Sequence, residues 1–385
     1  MDLSVIRKSQ LIPFRGVPLP NYFLKNMEKV GEFEADKTDV LIATYPKAGT
    51  TWMQEIVDCV LHGGDVRQCE QSPIHYRSPF LEASYPGIRT GLELLAEIPS
   101  PKPIKTHLPF QLIPTSFLQK QCKIIYCARN AKDNVVSSFH FDRMSKLKPD
   151  PGPWEEFLQK FLTGNVMYGL WHDHVKGWWE QRGNFPILYM FYEDMKEVKT
   201  GVGGHNVSDP LTHTHCRSTL PGQAGSGLDI PHAPSSTISG RTYSHCIRKL
   251  WNTPSLPNWP VLLLTKSKSA SLFHCPVSQQ DPRREIKRVA EFLGKELGSK
   301  ELDTIVAHTS FNAMKLNPMT NHSNVPLDVL DQRISSFMRK GIVGDWKTHF
   351  TVAQNQMFEE DYCRRMVGST LRFRTELSPG DNCLQ

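Results

Sequence analysis

Residues 44–52, which read TYPKAGTTW, combine the residue types that bind a phosphate-like anion. The preceding run, residues 40–45, is apolar, and residues 52–61 carry apolar side chains at helical spacing, so the segment would join a strand to a helix. Backbone N–H groups there bind anions, Gly49 permits close approach, and Lys47 adds a positive charge. The lysine precedes the glycine, the reverse of the order in the nucleotide-binding motif GxxxxGK[ST]. An ordinary strand–turn–helix corner is the alternative.

Residues 105–109, Lys-Thr-His-Leu-Pro, offer a base for a reaction at a hydroxyl group. Histidine is suited to removing such a proton, because its ordinary pKa lies nearest to neutrality. If this segment is extended, Lys105 points to the same side as His107, because side chains alternate along a strand. Both could then face one reacting centre. The alternative is a structural histidine, since the chain contains 15.

Two further segments offer cations for a second phosphate. Arg129 follows the apolar residues 123–128, and Ser137 lies within the next predicted helix. Residues 337–347, FMRKGIVGDWK, place two cations before a glycine, whose backbone freedom lets a loop approach several phosphate oxygens. A surface salt bridge from Arg129 to Asp133, and a solvated basic turn at 337–347, are the alternatives.

The elements that position these residues alternate between buried strands and helices. Strands are predicted at 40–45, 123–128 and 186–192, and helices at 52–61, 131–143 and 286–293. Apolar strands separated by helices favour an α/β fold with a mainly parallel central sheet flanked by helices.

Residues 198–280 interrupt this alternation. These 83 residues lack glutamate, are rich in Ser, Thr, Gly and Pro, and show no sustained period of 2 or 3.6. Such a composition favours a disordered segment, and its length exceeds that of ordinary loops. Histidine precedes cysteine at Cys216, Cys246 and Cys275, and His213 lies nearby, so a metal site is an alternative, although the spacing matches no standard zinc pattern.

The composition narrows the classes of function. Hydrophobic residues make up 39% and charged residues 22%, and no apolar run is long enough for a membrane span, so we expect a soluble protein with no membrane partner. The nine cysteines are scattered, and the N-terminus lacks an apolar signal core, so a cytoplasmic location is expected. The net charge of +6 falls mostly within residues 198–280, which argues against a nucleic-acid-binding face.

Taken together, the motifs resemble the cytosolic sulfotransferase family, in particular its phenol-type branch, called family 1. TYPKAGTTW resembles the family's 5′-phosphosulfate loop, and the RKGIVGDWK run at 339–347 resembles its 3′-phosphate loop. The family's KTHLP, ARNAKD, FYEDMK, HTSF and NPMTN motifs follow in the same order. The resemblance covers residues 1–197 and 281–385 and implies one domain with the P-loop-NTPase-like sulfotransferase fold.

The resemblance also implies a role for each matching residue. His107 would be the general base, and Lys47 and Lys105 would stabilise charge on the transferring group. Phe80, Phe141, Lys105 and His107 would bind the acceptor. The nucleotide, 3′-phosphoadenosine 5′-phosphosulfate (PAPS), would be bound by Lys47, Ala48, Gly49, Thr50, Thr51, Trp52, Arg129, Ser137, Tyr192, Thr309, Phe311, Phe337, Met338, Arg339, Lys340 and Gly341. No metal is required, because the donor carries its own leaving group.

Two departures from the family pattern affect these expectations. The family's dimer motif KxxxTVxxxE matches at Lys347, Thr351 and Val352, but Gln356 replaces the glutamate, so we expect a weakened homodimer. The second departure is the insertion at 198–280. The first two residues of the insertion, Val-Lys, can be encoded by GTNAAR, and its last residue, Gln, can be encoded by CAG. These nucleotide sequences are the donor and acceptor signals of an intron, so the insertion resembles a translated intron.

We therefore predict an aryl sulfotransferase that moves a sulfuryl group from PAPS to a small phenolic hydroxyl, in line and with a histidine base. The alternative is a catalytically impaired isoform that binds PAPS, or its product 3′-phosphoadenosine 5′-phosphate (PAP), and is disrupted by the insertion. A P-loop kinase is disfavoured by the order of lysine and glycine.

Overall fold

The structure is a computed structural model, which describes residues 10–196 and 282–377. The insertion predicted at 198–280 lies outside the described residues. The described residues belong to one compact unit.

A parallel sheet of four strands forms the centre of this unit, in the order β4-β3-β5-β6. Its strands are β3 (Val40–Thr44), β4 (Pro103–Thr106), β5 (Lys123–Ala128) and β6 (Ile187–Phe191). Two further strands, β1 (Leu11–Phe14) and β2 (Val17–Pro20), pair antiparallel as a separate hairpin. The mainly parallel sheet confirms the fold class predicted from the apolar runs, although β4 was not predicted as a strand.

Helices flank the sheet and carry most of the remaining described chain. They are α1 (Asn21–Gly31), α2 (Thr50–Leu61), α3 (Ile74–Arg77), α4 (Gly91–Leu95), α5 (Thr115–Gln119), α6 (Ala131–Met144), α7 (Trp154–Thr163), α8 (Trp171–Gln181), α9 (Tyr192–Lys196), α10 (Pro282–Leu293), α11 (Ser299–His308), α12 (Phe311–Leu316) and α13 (Val352–Arg365). Short 3₁₀ turns lie at Val66–Glu70, Phe110–Leu112 and Asp345–Thr348. Among the helices described, none is long and apolar enough to cross a bilayer.

The sheet separates two hydrophobic clusters, as the alternation of side chains along its strands requires. In β3, Leu41 packs in one cluster, while Ile42 packs in the other. The second cluster also contains Met195 of α9 and Ile286 of α10, both fully or nearly fully buried. The elements on either side of residues 198–280 therefore share one core.

The carboxyl ends of the parallel strands bring the predicted motifs to one edge of the sheet. Strand β3 leads into the loop before α2, β4 ends immediately before His107, and β5 ends immediately before Arg129. Strand β6 is followed directly by Tyr192. Four motifs that are far apart in sequence are thus positioned side by side.

Candidate functional site

One cavity at this edge is lined by all the candidate residues except Ala48. Ala48 is completely buried beneath the loop: its N–H donates to the carbonyl of Tyr45, and its own carbonyl accepts from Cys127 Sγ. The structure therefore gathers the remaining candidates around one space, in which their individual roles stay predictions. Other lining residues were not singled out from the sequence: Pro46, Tyr85, Lys148, Met167, Tyr168, Lys196, Met314 and Ile342.

The loop between β3 and α2 has a backbone that only certain residues tolerate. Gly49 has a φ of +97°, and a Cβ atom there would lie 2.8 Å from Cδ2 of Tyr192. Lys47 also has a positive φ, of +69°, and its Nζ lies 4.1 Å from the ring centroid of Phe141 and 4.4 Å from that of Phe337. The loop thus turns the lysine towards two aromatic rings and keeps α2's N-terminus open.

Burial changes the protonation of Lys47. Burial, together with the positive charges of Lys148 and Lys105, lowers its pKa to about 7. Among the described residues, no carboxylate lies within ion-pair distance of its Nζ. An anion entering the cavity would restore its charged form, because an opposite charge raises the pKa of a lysine.

His107 is held in one tautomer. Its Nδ1 lies 2.9 Å from the carbonyl oxygen of Thr44, which can only accept a hydrogen bond, so Nδ1 carries the proton. The ring is flanked by Phe80 and Tyr168, with centroid distances of 5.0 and 5.6 Å. Burial, and then the charge of Lys105, lower the pKa of His107 well below its ordinary value. Its Nε2 therefore keeps a lone pair that can take a proton.

A buried carboxylate, Glu82, organises the backbone around this histidine. It accepts from the N–H of His107 at 2.7 Å, from the hydroxyl of Thr106 at 2.9 Å and from the hydroxyl of Tyr168 at 3.1 Å. Burial raises the pKa of Glu82 to about 7. Sequence reasoning missed this residue, and its only signal was a glutamate within an otherwise apolar stretch.

Lys105 lies beside His107, as the extended segment predicted. Its Nζ lies 4.2 Å from the ring centroid of Phe80, and both Lys105 and His107 line the cavity. Burial lowers the pKa of Lys105 to about 8, with an opposing effect from the charge of Glu82. A base and a cation therefore face the same space.

Arg129 and Lys196 supply charge at the other end of the cavity. Arg129 donates to the carbonyl of Ile342 at 3.1 Å and lies 4.4 Å from the ring centroid of Tyr192, while its buried Nε has no hydrogen-bond partner in the described part of the chain. Lys196 was missed by sequence reasoning; burial, then Arg129, lower its pKa to about 8.

The alternative partner for Arg129, Asp133, is engaged elsewhere. Its carboxylate accepts from the backbone N–H groups of Gly344 at 2.8 Å and Trp346 at 3.0 Å. These bonds tie α6 to the segment that follows the second basic loop. The surface salt bridge considered as an alternative is therefore not formed.

The basic loop at residues 339–341 forms part of the cavity wall. Arg339 and Lys340 both form ion pairs with the buried Asp345. Gly341 has a φ of +66°, and a Cβ atom there would lie 2.2 Å from the ring of Phe311. Only glycine fits this close approach between the loop and an aromatic ring.

The cavity as a whole is positively charged. Its lining contains no aspartate or glutamate. It does contain seven cations: Lys47, Lys105, Arg129, Lys148, Lys196, Arg339 and Lys340. Aromatic rings occupy much of the remaining wall. Several unpaired, partly desolvated cations with lowered pKa values indicate a site for a polyanion that carries an aromatic group.

The residues of the predicted dimer motif lie away from this cavity. Lys347 pairs with Glu376, and the Gln356 side chain donates to Glu360 at 3.1 Å. Thr351 caps α13, and Val352 is 88% exposed. An exposed valine beside a helix N-terminus is accessible to a second chain.

Comparison with known proteins assigns the chain to a family. The family model described as Sulfotransferase domain matches residues 37–202 and 278–370 and leaves 203–277 outside the match. Sulfotransferase 1A1 of Bos taurus is 41% identical over 363 residues, covering 94% of this chain and 95% of the relative. Sulfotransferase 1B1 of Canis lupus familiaris is 40% identical over 371 residues, covering 96% and 97%.

Solved structures show the same fold. Mouse sulfotransferase SULT7A1 complexed with PAP is 26% identical, with a TM-score of 0.59 and coverage of 94% of this chain and 96% of that one. Retinol dehydratase in a complex with retinol and PAP is 20% identical, with a TM-score of 0.68 and coverage of 96% and 94%.

Proposed function

Because this chain belongs to the sulfotransferase family, we propose that it transfers the sulfuryl group of PAPS to the hydroxyl of a small phenolic acceptor. The observation that carries the proposal is the cavity itself. It is lined by seven cations and no carboxylate, and Lys105 lies beside a histidine whose pKa is lowered. A nucleotide with a 3′-phosphate and a 5′-phosphosulfate supplies the missing negative charge. The PAP bound to SULT7A1, according to that structure's description, has the same chemistry without the sulfuryl group.

The nucleotide would lie along the basic and aromatic walls. The 5′-phosphosulfate would lie beside Gly49 at the N-terminus of α2, where Lys47 adds charge. The 3′-phosphate would contact Arg129, Ser137 and the basic loop at 339–341, and the adenine would pack among Trp52, Tyr192, Thr309 and Phe311. The buried Nε1 of Trp52 and Nε of Arg129, both without partners among the described residues, fit a polar ligand here.

The acceptor hydroxyl would approach sulfur from the side of His107. Its Nε2 takes the proton as the new oxygen–sulfur bond forms and the bond from sulfur to the phosphate oxygen breaks, in line. Negative charge then develops on the bridging and sulfuryl oxygens, where Lys47 and Lys105 stabilise it. Phe80 and Phe141 provide aromatic walls for a phenol. No metal is required by these steps.

We further propose that residues 198–280 are an insertion into an otherwise complete domain. Two observations support this: the family match leaves 203–277 out, and Met195 and Ile286 pack in one core. An impaired isoform is the second candidate function, because Lys196, two residues before the insertion, lines the nucleotide end of the cavity. Sequencing transcripts and peptides across residue 197 would decide whether the segment is a translated intron.

We also propose a cytoplasmic homodimer that contacts its partner through Lys347, Thr351 and Val352. The 88% exposure of Val352 supports this surface, and Gln356 in place of the family's glutamate would weaken it. Sedimentation of the wild type and of Val352→Glu would test it; a monomeric wild type at every concentration would contradict it.

The function is tested by PAPS-dependent sulfation of a simple phenol by two chains, the full one and one lacking residues 198–280. Sulfation by the shortened chain supports the enzyme, and absence of sulfation despite tight PAP binding by both chains would contradict it. Activity only in the shortened chain would favour the impaired isoform for the 385-residue chain.

A further inference from the structure

The cavity contains one cation beyond those that the nucleotide would use. Six lining cations already serve the donor, its transferring sulfuryl group or the nucleotide end of the cavity: Lys47, Lys105, Arg129, Lys196, Arg339 and Lys340. The seventh is Lys148, in the irregular segment between α6 and α7. A charged side chain that lines an aromatic cavity, without a role towards the donor, is available to contact the acceptor.

Lys148 lies at the acceptor end of the cavity. Its Nζ is 5.0 Å from the ring centroid of Phe141. The residue before it, Leu147, accepts a hydrogen bond from the Tyr22 hydroxyl at 2.7 Å, and the Tyr22 ring lies 5.6 Å from that of Tyr85, which also lines the cavity. These contacts hold the backbone of Lys148 against the acceptor wall.

The ammonium group is held in a defined position. Its Nζ donates to Asp142 Oδ1 at 2.7 Å, and both side chains are only 17% exposed. Asp142 does not itself line the cavity. A lysine has three N–H donors, so the pair with Asp142 leaves donors that can reach a ligand.

The positive charge of Lys148 influences the residues proposed to take part in the reaction. After burial, it is the largest influence that lowers the pKa of Lys47, and it also contributes to lowering the pKa of Lys105 and of His107. Because the Lys148 side chain is only 17% exposed, its interaction with a charged group on the acceptor would be poorly screened by solvent.

Building on the proposed function, we propose that Lys148 selects phenolic acceptors that carry a carboxylate remote from the reacting hydroxyl. Such a carboxylate can accept a charge-assisted hydrogen bond from the ammonium group. An acceptor with an ammonium group finds no lining aspartate or glutamate and is repelled by the cations. The cavity thus combines attraction for acidic phenols with repulsion of amines.

The test compares three acceptors of similar size, substituted para to the hydroxyl: hydroxyphenylpropionate, propylphenol and tyramine. The chain lacking residues 198–280 is assayed alongside the full chain, and kcat/KM is measured for each acceptor. In Lys148→Met, the ratio of kcat/KM for hydroxyphenylpropionate to that for propylphenol should fall about tenfold, mainly through KM, because one charge-assisted contact is lost.

Two further variants at the same position keep the test decisive. Lys148→Arg should retain most of the preference for the carboxylate, because it retains the charge, and Lys148→Glu should shift preference towards tyramine. The melting temperature with and without PAP confirms that each variant is folded and binds nucleotide. If Lys148→Met does not fold, the acceptor ratios of kcat/KM are compared between Lys148→Arg and Lys148→Glu instead.

Lys146 provides a matched control two residues away. It approaches Asp331 at 3.9 Å and does not line the cavity, so Lys146→Met should leave the acceptor ratio unchanged. An unchanged ratio in folded Lys148→Met and Lys148→Glu, with propylphenol still sulfated, would overturn this inference alone. Failure of both wild-type chains to sulfate any of the three acceptors would overturn the proposed function, and this inference with it.

Discussion

Replacing His107 by alanine should remove most turnover and leave nucleotide binding in place. Nδ1 of the ring is bonded to the carbonyl of Thr44, so Nε2 is the atom left to accept the acceptor's proton. A positioned general base contributes about 10²–10⁴-fold to a rate. At 1.36 kcal/mol per factor of ten, this corresponds to about 3–5 kcal/mol of barrier. The kcat of His107→Ala should therefore be about 10²–10⁴-fold lower than that of the wild type.

The pH dependence of kcat/KM gives a second readout of the same residue. Burial and Lys105 lower the pKa of His107 well below 6.5, so the imidazole stays neutral as the pH falls through that value. The acidic limb of the wild-type profile should therefore lie below pH 6.5. Lys105→Met removes one positive neighbour, raises the pKa of His107 and should move the limb to higher pH.

The assay is initial-rate sulfation of a phenol at saturating PAPS, with PAP affinity measured by calorimetry on the same preparations. His62 provides the control, because its side chain is 44% exposed and lies outside the cavity lining. His62→Ala should retain wild-type turnover. A folded His107→Ala that binds PAP normally and retains more than about a hundredth of wild-type turnover would refute the assignment, because the loss would then be smaller than the roughly 10²-fold that a general base contributes at least.

Two further predictions concern the nucleotide. Binding of PAP should raise the lowered pKa values of Lys47 and Lys105, so protons are taken up on binding. As the pH rises above the pKa that each lysine has in the unliganded protein, the affinity for PAP should therefore weaken by up to about tenfold per pH unit for each lysine. Calorimetry in two buffers of different ionisation enthalpy measures the uptake, and a pH-independent Kd would contradict it. Gly341→Ala should weaken PAP binding by about tenfold or more, because the new Cβ displaces Phe311. Gly368→Ala has comparable φ strain in open space and should bind PAP normally, whereas equal effects of both variants would count against the steric explanation.

The central strands could be predicted from the sequence because both faces of the sheet are buried there, and nearly every residue of such a strand is apolar. Strand β5 lies at the predicted bounds, 123–128, and β3 ends one residue earlier than the predicted run 40–45. Strand β4 was not predicted, since Pro-Ile-Lys-Thr is short and mixed in polarity. Its pairing with β3 depends on contacts across the sheet that no local pattern reveals.

The candidate site was predictable where several residue types occur together in one short motif. The loop with Lys47 and Gly49 is such a case. Glu82 and Lys148 stand outside the quoted motifs, and Lys196 ends the FYEDMK motif, which gave this lysine no role. Only tertiary packing brings the three residues to the cavity or to His107. Their roles depend on burial and distance, which a linear sequence does not encode directly.

Ala48 shows the opposite limit. Its place inside the TYPKAGTTW motif predicts contact with the nucleotide. Its side chain is completely buried and its carbonyl accepts from Cys127 Sγ, so any such contact would have to be made by its backbone. A motif identifies a segment that binds a ligand, and the fold then decides which of its residues face that ligand.

The most direct test of the central claim is transfer of a radiolabelled sulfuryl group from PAPS to propylphenol by the chain lacking residues 198–280, with the PAP formed measured in the same reaction. The account predicts one PAP for each sulfated phenol, without added metal, and loss of both products in His107→Ala. Hydrolysis of PAPS without labelled phenol, or equal labelling by His107→Ala, would contradict it.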